Sequence, residues 1–101
     1  MYFMIYAKDD PAKKAMRDRV RGEHRRFVRA RNDSQVTIHA AGPFFEEDGK
    51  TMVGSLWLVE AENIDVVRNL VEKIPYHAAG LYEHVEIRPY GWSLGPPSSK
   101  R

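Results

Sequence analysis

Positions 21 to 31 read RGEHRRFVRAR, a single histidine among five arginines. Imidazole can take or give a proton near neutral pH, whereas a guanidinium stays charged and performs no acid–base work. On a helical wheel Val20, Phe27, Val28 and Arg31 fall within about 60° of His24, and Arg19, Arg25, Arg26 and Arg29 fall on the far side. His24 therefore points inward with an apolar stripe, while most of the arginines point to water. A histidine on an apolar face is either a satisfied core residue or a general base. The residue pattern alone favours the core.

The remaining chemistry-bearing residues exclude more than they suggest. The chain has no cysteine, which removes disulfides, thiolate nucleophiles and cysteine-ligated metal. His39, His77 and His84 show no metal-ligand spacing, so neither a metal nor a cofactor is expected. Gly42, Pro43 and Gly80 read as turn devices, because no glycine-rich loop precedes a helix. Seven arginines lie between Arg17 and Arg31, but Asp18, Glu23 and Asp33 sit among them and the net charge is only +2. That mixture reads as a solvated helix face and argues against a nucleic-acid partner.

These residues need a frame to position them. A chain of 101 residues is one domain, with 43% hydrophobic and 30% charged residues, ordinary for a globular protein. No apolar run approaches a membrane span, and the apolar start lacks the marks of a signal peptide, which points to a cytoplasmic protein. MYFMIYA reads as a buried strand ended by Asp9-Asp10-Pro11, followed by helical composition from 12 to about 32. Gly22 interrupts that stretch, which predicts a short helical turn and then a main helix. QVTIHAAG (35–42) and TMVGSLWLVEA (51–61) form a hairpin whose long acidic tip is PFFEEDGK. Asn63 caps a helix over 63–74 with Ile64, Val67, Leu70, Val71 and Ile74 on one stripe, and EHVEIRPYGW is a last strand. Residues 93–101 form a polar tail behind a domain spanning 1–92.

The order β-α-β-β-α-β is that of an α+β, ferredoxin-like split βαβ fold: an antiparallel sheet with its helices on one face. The first strand is apolar on both sides, with Tyr2, Met4 and Tyr6 on one and Phe3, Ile5 and Ala7 on the other. Two helices cover one sheet face only, so the second apolar face predicts a homodimer of packed sheets.

The motifs MYFMIYAKD at the start, AAGP at 40–43, GSL at 54–56 and PYHAAGLYEHVEIRPY at 75–90, with His24, resemble the YciI-like, or YCII-related, family. That resemblance implies a dimeric α+β barrel and a cleft with a histidine–aspartate pair, sometimes joined by a serine. It also implies that one branch expels chloride from a chlorinated hydroxyhydroquinone by proton transfer without a cofactor. The family's histidine falls on His24, its YA-x-D acid on Asp9 and its serine on Ser55. The family's helix usually opens just ahead of the histidine, which would put His24 in a first turn where the helix dipole disfavours the imidazolium. Where the family commonly carries an acid before Pro-Tyr, this chain has Ile74, read here as the end of an apolar stripe.

The expected function is that of a cofactor-independent enzyme of lyase, dehydrochlorinase-like or isomerase type. His24 removes a proton from a small cyclic or aromatic, hydroquinone-like substrate, Asp9 supports the imidazole, and Ser55 orients a substrate hydroxyl. Ser55 reads equally as a small residue packed beside Trp57. Tyr76 and Phe44 are the expected substrate-binding aromatics. A non-catalytic small-molecule-binding or accessory module of the same fold is the competing reading.

Overall fold

A computed structural model describes residues 1–30 and 35–95. Arg31, placed inward above, and most of the 93–101 tail lie outside the described residues.

The chain runs β1 (Tyr2–Asp9), a 3-10 turn (Pro11–Lys13), α1 (Lys14–Ala30), β2 (Thr37–Phe45), β3 (Met52–Glu60), α2 (Ile64–Lys73), α3 (Pro75–Ala78) and β4 (Tyr82–Tyr90). The four strands form one sheet in the order β2-β3-β1-β4, every neighbouring pair antiparallel. This is the expected ferredoxin-like α+β fold, with β3 inserted between β1 and β2.

Alternation along β1 decides what each face does. Phe3, Ile5 and Ala7 are fully buried, and Phe3 and Ile5 join Trp57 and Val59 of β3 and Val67, Leu70 and Val71 of α2 in one core. Tyr2, Met4 and Tyr6 lie on the opposite, open face, across from Leu58 and Leu56 in the β1–β3 register. Asn63 caps α2 by accepting from the Val66 amide, and the helix stops at Ile74, whose backbone turns extended ahead of Pro75. Ile74 has no exposed surface and belongs to the core, so its place in the apolar stripe holds. Pro75 then opens α3 rather than a plain connector.

Three local expectations fail. Gly42 and Pro43 make no turn but lie within β2, paired with Leu56 and Ser55. Gly22 neither breaks nor begins a helix. A single α1 runs from Lys14 to Ala30, so His24 sits in mid-helix, away from the positive end invoked above. The hairpin tip is also shorter than PFFEEDGK, because Phe44 and Phe45 still pair with β3. The turn proper is held by Asp48, which accepts from the Lys50 and Thr51 amides and the Thr51 hydroxyl, with Gly49 at positive φ. Among the described residues no helix is long and apolar enough to cross a membrane.

Candidate functional site

The helices leave part of the β2–β3 side of the sheet uncovered, and a cavity of about 200 Å³ opens there. The inward stripe of α1 supplies one wall with Arg17, His24 and Val28. Ala41 and Pro43 of β2, with Ser55 and Trp57 of β3, supply the floor, and Tyr76 of α3 closes one end. Each is placed by the period of its element. Ser55 and Trp57 are two apart on a strand, and Arg17, His24 and Val28 recur at seven and four residues on a helix.

His24 stacks on Tyr76, ring centroids 3.9 Å apart at 18°, and meets Trp57 edge-on at 5.7 Å. Its Nδ1 is buried without a hydrogen-bond partner among the described residues, and the ring lines the cavity. Burial first, and then the positive charge of Arg17, pushes the imidazole down to about 4. The sequence argument for a depressed pKa invoked the helix dipole. The structure gives the same direction through desolvation and a neighbouring cation.

Asp9 does not pair with His24. Both of its carboxylate oxygens accept from Arg17, Nε at 2.6 Å and Nη2 at 2.9 Å, in a bidentate pair with both residues buried. Nη2 of Arg17 also donates to Ser55 Oγ at 3.2 Å, and the Tyr82 hydroxyl donates to the same oxygen at 3.0 Å. Arg17 lies 4.6 Å over the Tyr76 ring, and the Tyr76 hydroxyl donates to the Arg17 carbonyl. Burial opposes the charge on Arg17, but the hydrogen bonds and charge of Asp9 outweigh it and hold its pKa above the ordinary value. Burial pushes the Tyr82 phenol up to about 12, so it remains a donor at neutral pH.

The structure thus gathers His24, Ser55 and Tyr76 at one cavity and ties Asp9 to it through Arg17. Phe44 is elsewhere. It lies on the open face, stacked on Tyr6 at 5.2 Å and 13°, because it sits one residue out of phase with Pro43. Arg17 and Tyr82 were missed by sequence reasoning. The signal for Arg17 was there: it precedes His24 by seven residues, two helical turns, and so shares its face.

A family model, that of the YCII-related domain, matches residues 1–91. This chain belongs to that family. Protein YciI of Escherichia coli O6:H1 is 30% identical to it over 95 residues, 89% of this chain and 96% of the relative. An uncharacterized protein of Haemophilus influenzae is 24% identical over 94 residues, with the same coverage. Among solved structures, the 5-chloro-2-hydroxyhydroquinone dehydrochlorinase of Burkholderia phenoliruptrix, in complex with 2,5-dihydroxybenzoquinone, superposes with a TM-score of 0.77. That pair is 29% identical, covering 90% of this chain and 94% of the other. A protein of Bacteroides thetaiotaomicron described as an antibiotic biosynthesis monooxygenase shares the fold at a TM-score of 0.56 and 13% identity. The YCII-related family consists of dimeric α+β barrels, and the motif residues have visible work in this member. Gly54 of GSL leaves room on the open face, since a Cβ there would stand 2.2 Å from the Phe44 ring and 2.4 Å from the Ala7 carbonyl. Ser55 of the same motif turns to the cavity, 3% exposed.

Proposed function

We propose that this YCII-related chain is a cofactor-independent enzyme in which His24 removes a hydroxyl proton from a small cyclic or aromatic, hydroquinone-like substrate. The carrying observation is the cavity that brings a neutral, partly accessible imidazole beside Ser55 and the Tyr76 ring. An engineered apolar cavity of about 150 Å³ holds benzene, so a space of about 200 Å³ suits one substituted ring. Ser55 Oγ already accepts from Arg17 and Tyr82, which leaves its own proton to donate to a ligand oxygen.

The electrostatics limit the reaction class. An imidazole near pH 4 is unprotonated at neutrality but is a weak base. A phenolic proton, pKa ~10 in water, moves to it only if the oxyanion is stabilised, and Arg17 supplies positive charge at the same wall. The released electron pair passes through the ring to a carbon, which takes up a proton: where that carbon carries a leaving group, loss of a second hydroxyl proton then expels it as its anion, and where it does not, the keto form is the product. The first is elimination of the dehydrochlorinase kind and the second isomerisation. Asp9 supports the base through Arg17: it fixes the guanidinium and, through it, Ser55. The protein acts as a homodimer through the open sheet face.

One observation favours the competing reading of a binding module without turnover. With the Nε2 lone pair offered to substrate, the proton sits on Nδ1, where a buried donor without acceptor costs about 1–3 kcal/mol. Incubating wild type and His24→Asn with chlorinated and unchlorinated hydroxyhydroquinones, and following quinone absorbance and chloride release, decides between them. Turnover should fall by about 10²–10⁴ in the variant, with its far-UV spectrum unchanged. Turnover that survives the substitution refutes the base, and binding without product in wild type establishes the module.

A further inference from the structure

The α1 wall of the cavity repeats arginine every fourth residue: Arg17, Arg21, Arg25 and Arg29 all line it, and no aspartate or glutamate does. Two of the four are committed. Arg17 is held by Asp9, and Arg21 is paired with Asp18. Among the described residues no carboxylate pairs with Arg25 or Arg29. The wheel argument sent both to water, and both are exposed, yet they stand at the cavity mouth. A second opening alongside, lined by Lys14 and Lys50 and sharing Arg17, Arg21 and Met52, adds positive charge and contributes only Asp18 as acid.

This is more than a wet helix face. Residues four apart on a helix bring their Cβ atoms within about 6 Å, a span that two guanidinium forks can close on one carboxylate from either side. The apolar floor residues Trp57, Ala41 and Pro43 limit screening from below.

We infer that the ligand of this cavity is a small aromatic acid, its ring seated beside His24 and Tyr76 and its carboxylate held at the mouth by Arg25 and Arg29. The inference rests on the cavity being the ligand site and names the substrate class for the function proposed above. The carboxylate also offsets the cationic wall, making protonation of His24 less costly in the complex than in the unliganded protein.

Calorimetric titration at pH 7 and low salt with 2,5-dihydroxybenzoate and with hydroquinone, which differ by the carboxylate alone, tests it. Wild type should bind the acid about tenfold or more tightly than hydroquinone, and added salt should erode that margin. The Arg25→Gln, Arg29→Gln double variant should lose the margin and keep its hydroquinone affinity. Equal affinity for the two ligands, no binding of the acid at millimolar concentration, or a margin untouched in the double variant overturns the inference. So does tighter, strongly salt-dependent binding of a short single-stranded oligonucleotide, which would assign the arginines to a phosphate backbone. A preference for the acid in a wild type that turns nothing over leaves this inference standing and removes the catalytic one.

Discussion

At the scale of single residues the site is governed by two buried groups that solve the problem of charge differently. Arg17 and Asp9 satisfy each other bidentately, and removing one partner would strand the other. His24 meets no carboxylate among the described residues, and burial and Arg17 lower its pKa to about 4. Its folded value lies below the ordinary value of about 6.5, so the unfolded chain binds the proton first. Any stability tied to His24 is therefore complete above pH 6.5 and lost as pH falls towards 4, by at most about 3 kcal/mol, less for the ring's partial contact with solvent. Urea midpoints for wild type and His24→Gln at pH 7 and pH 4.5 should show the wild type losing more on acidification. Equal losses would mean that the ring is not held neutral. The inward face of His24 was legible in the sequence because the helical period fixes a face, whereas Ser55 was singled out only by the resemblance of its GSL motif. The partner of Asp9 was not, because which cation reaches a buried carboxylate depends on the depth of α1 against the sheet rather than on spacing along the chain.

At the scale of elements, glycines of opposite character show what the sequence conveys and what it withholds. Gly22 looked like a helix boundary, yet α1 runs straight through it, and a Cβ there would meet only the end of the Arg26 side chain at an ordinary 3.6 Å. Propensity is a weak prior once an amphipathic stripe is buried, and the stripe of Val20, Phe27 and Val28 overrides one glycine. Gly22→Ala should therefore stabilise the protein by about 0.5–1 kcal/mol. Gly54 sits in an ordinary-looking strand, but a Cβ there would stand 2.4 Å from the Ala7 carbonyl, backbone that cannot move aside without breaking the β1–β3 ladder. Gly54→Ala should destabilise by roughly 1–3 kcal/mol, as overpacking does. Denaturant titrations that reverse these signs would show that α1 is strained at Gly22 or that β3 can slide outward at Gly54. The strands and α2 were readable because period two and a capped apolar stripe are local signals. The close approach at Gly54 arises between β1, β2 and β3 and is visible only after folding.

At the scale of the whole molecule, the helix face and the open face of the sheet divide the labour. The helix face carries the core and the cavity, whereas the open face carries Tyr2, Met4, Tyr6, Leu58 and Phe44, with Leu56 still 41% exposed in the single chain. The rings there are already arranged among themselves, Tyr6 flat on Phe44 and Trp92 edge-on to both Tyr2 and Tyr90. A contiguous apolar sheet face of this kind is not left to water in a stable monomer. We propose a second copy as its cover, since the family's units are dimeric α+β barrels and an isologous contact would set the same apolar strands of both protomers against each other. Charged groups at this face, Lys8 with Glu83, Glu86 with Arg88 and Glu60 with His39, already have partners within the protomer, so these contacts need not be broken to form the interface. Light scattering should give a dimer for wild type at micromolar concentration. Leu56→Asp places a charge at the centre of the proposed interface and should give a monomer. Its cavity lies on the other side of the sheet, so the variant should still bind the cavity's ligand. A wild-type monomer, or a Leu56→Asp dimer, would mean that this face is covered in some other way; a monomer that has also lost ligand affinity would mean that the sheet transmits the contact to Ser55 and Trp57, which share β3 with Leu56.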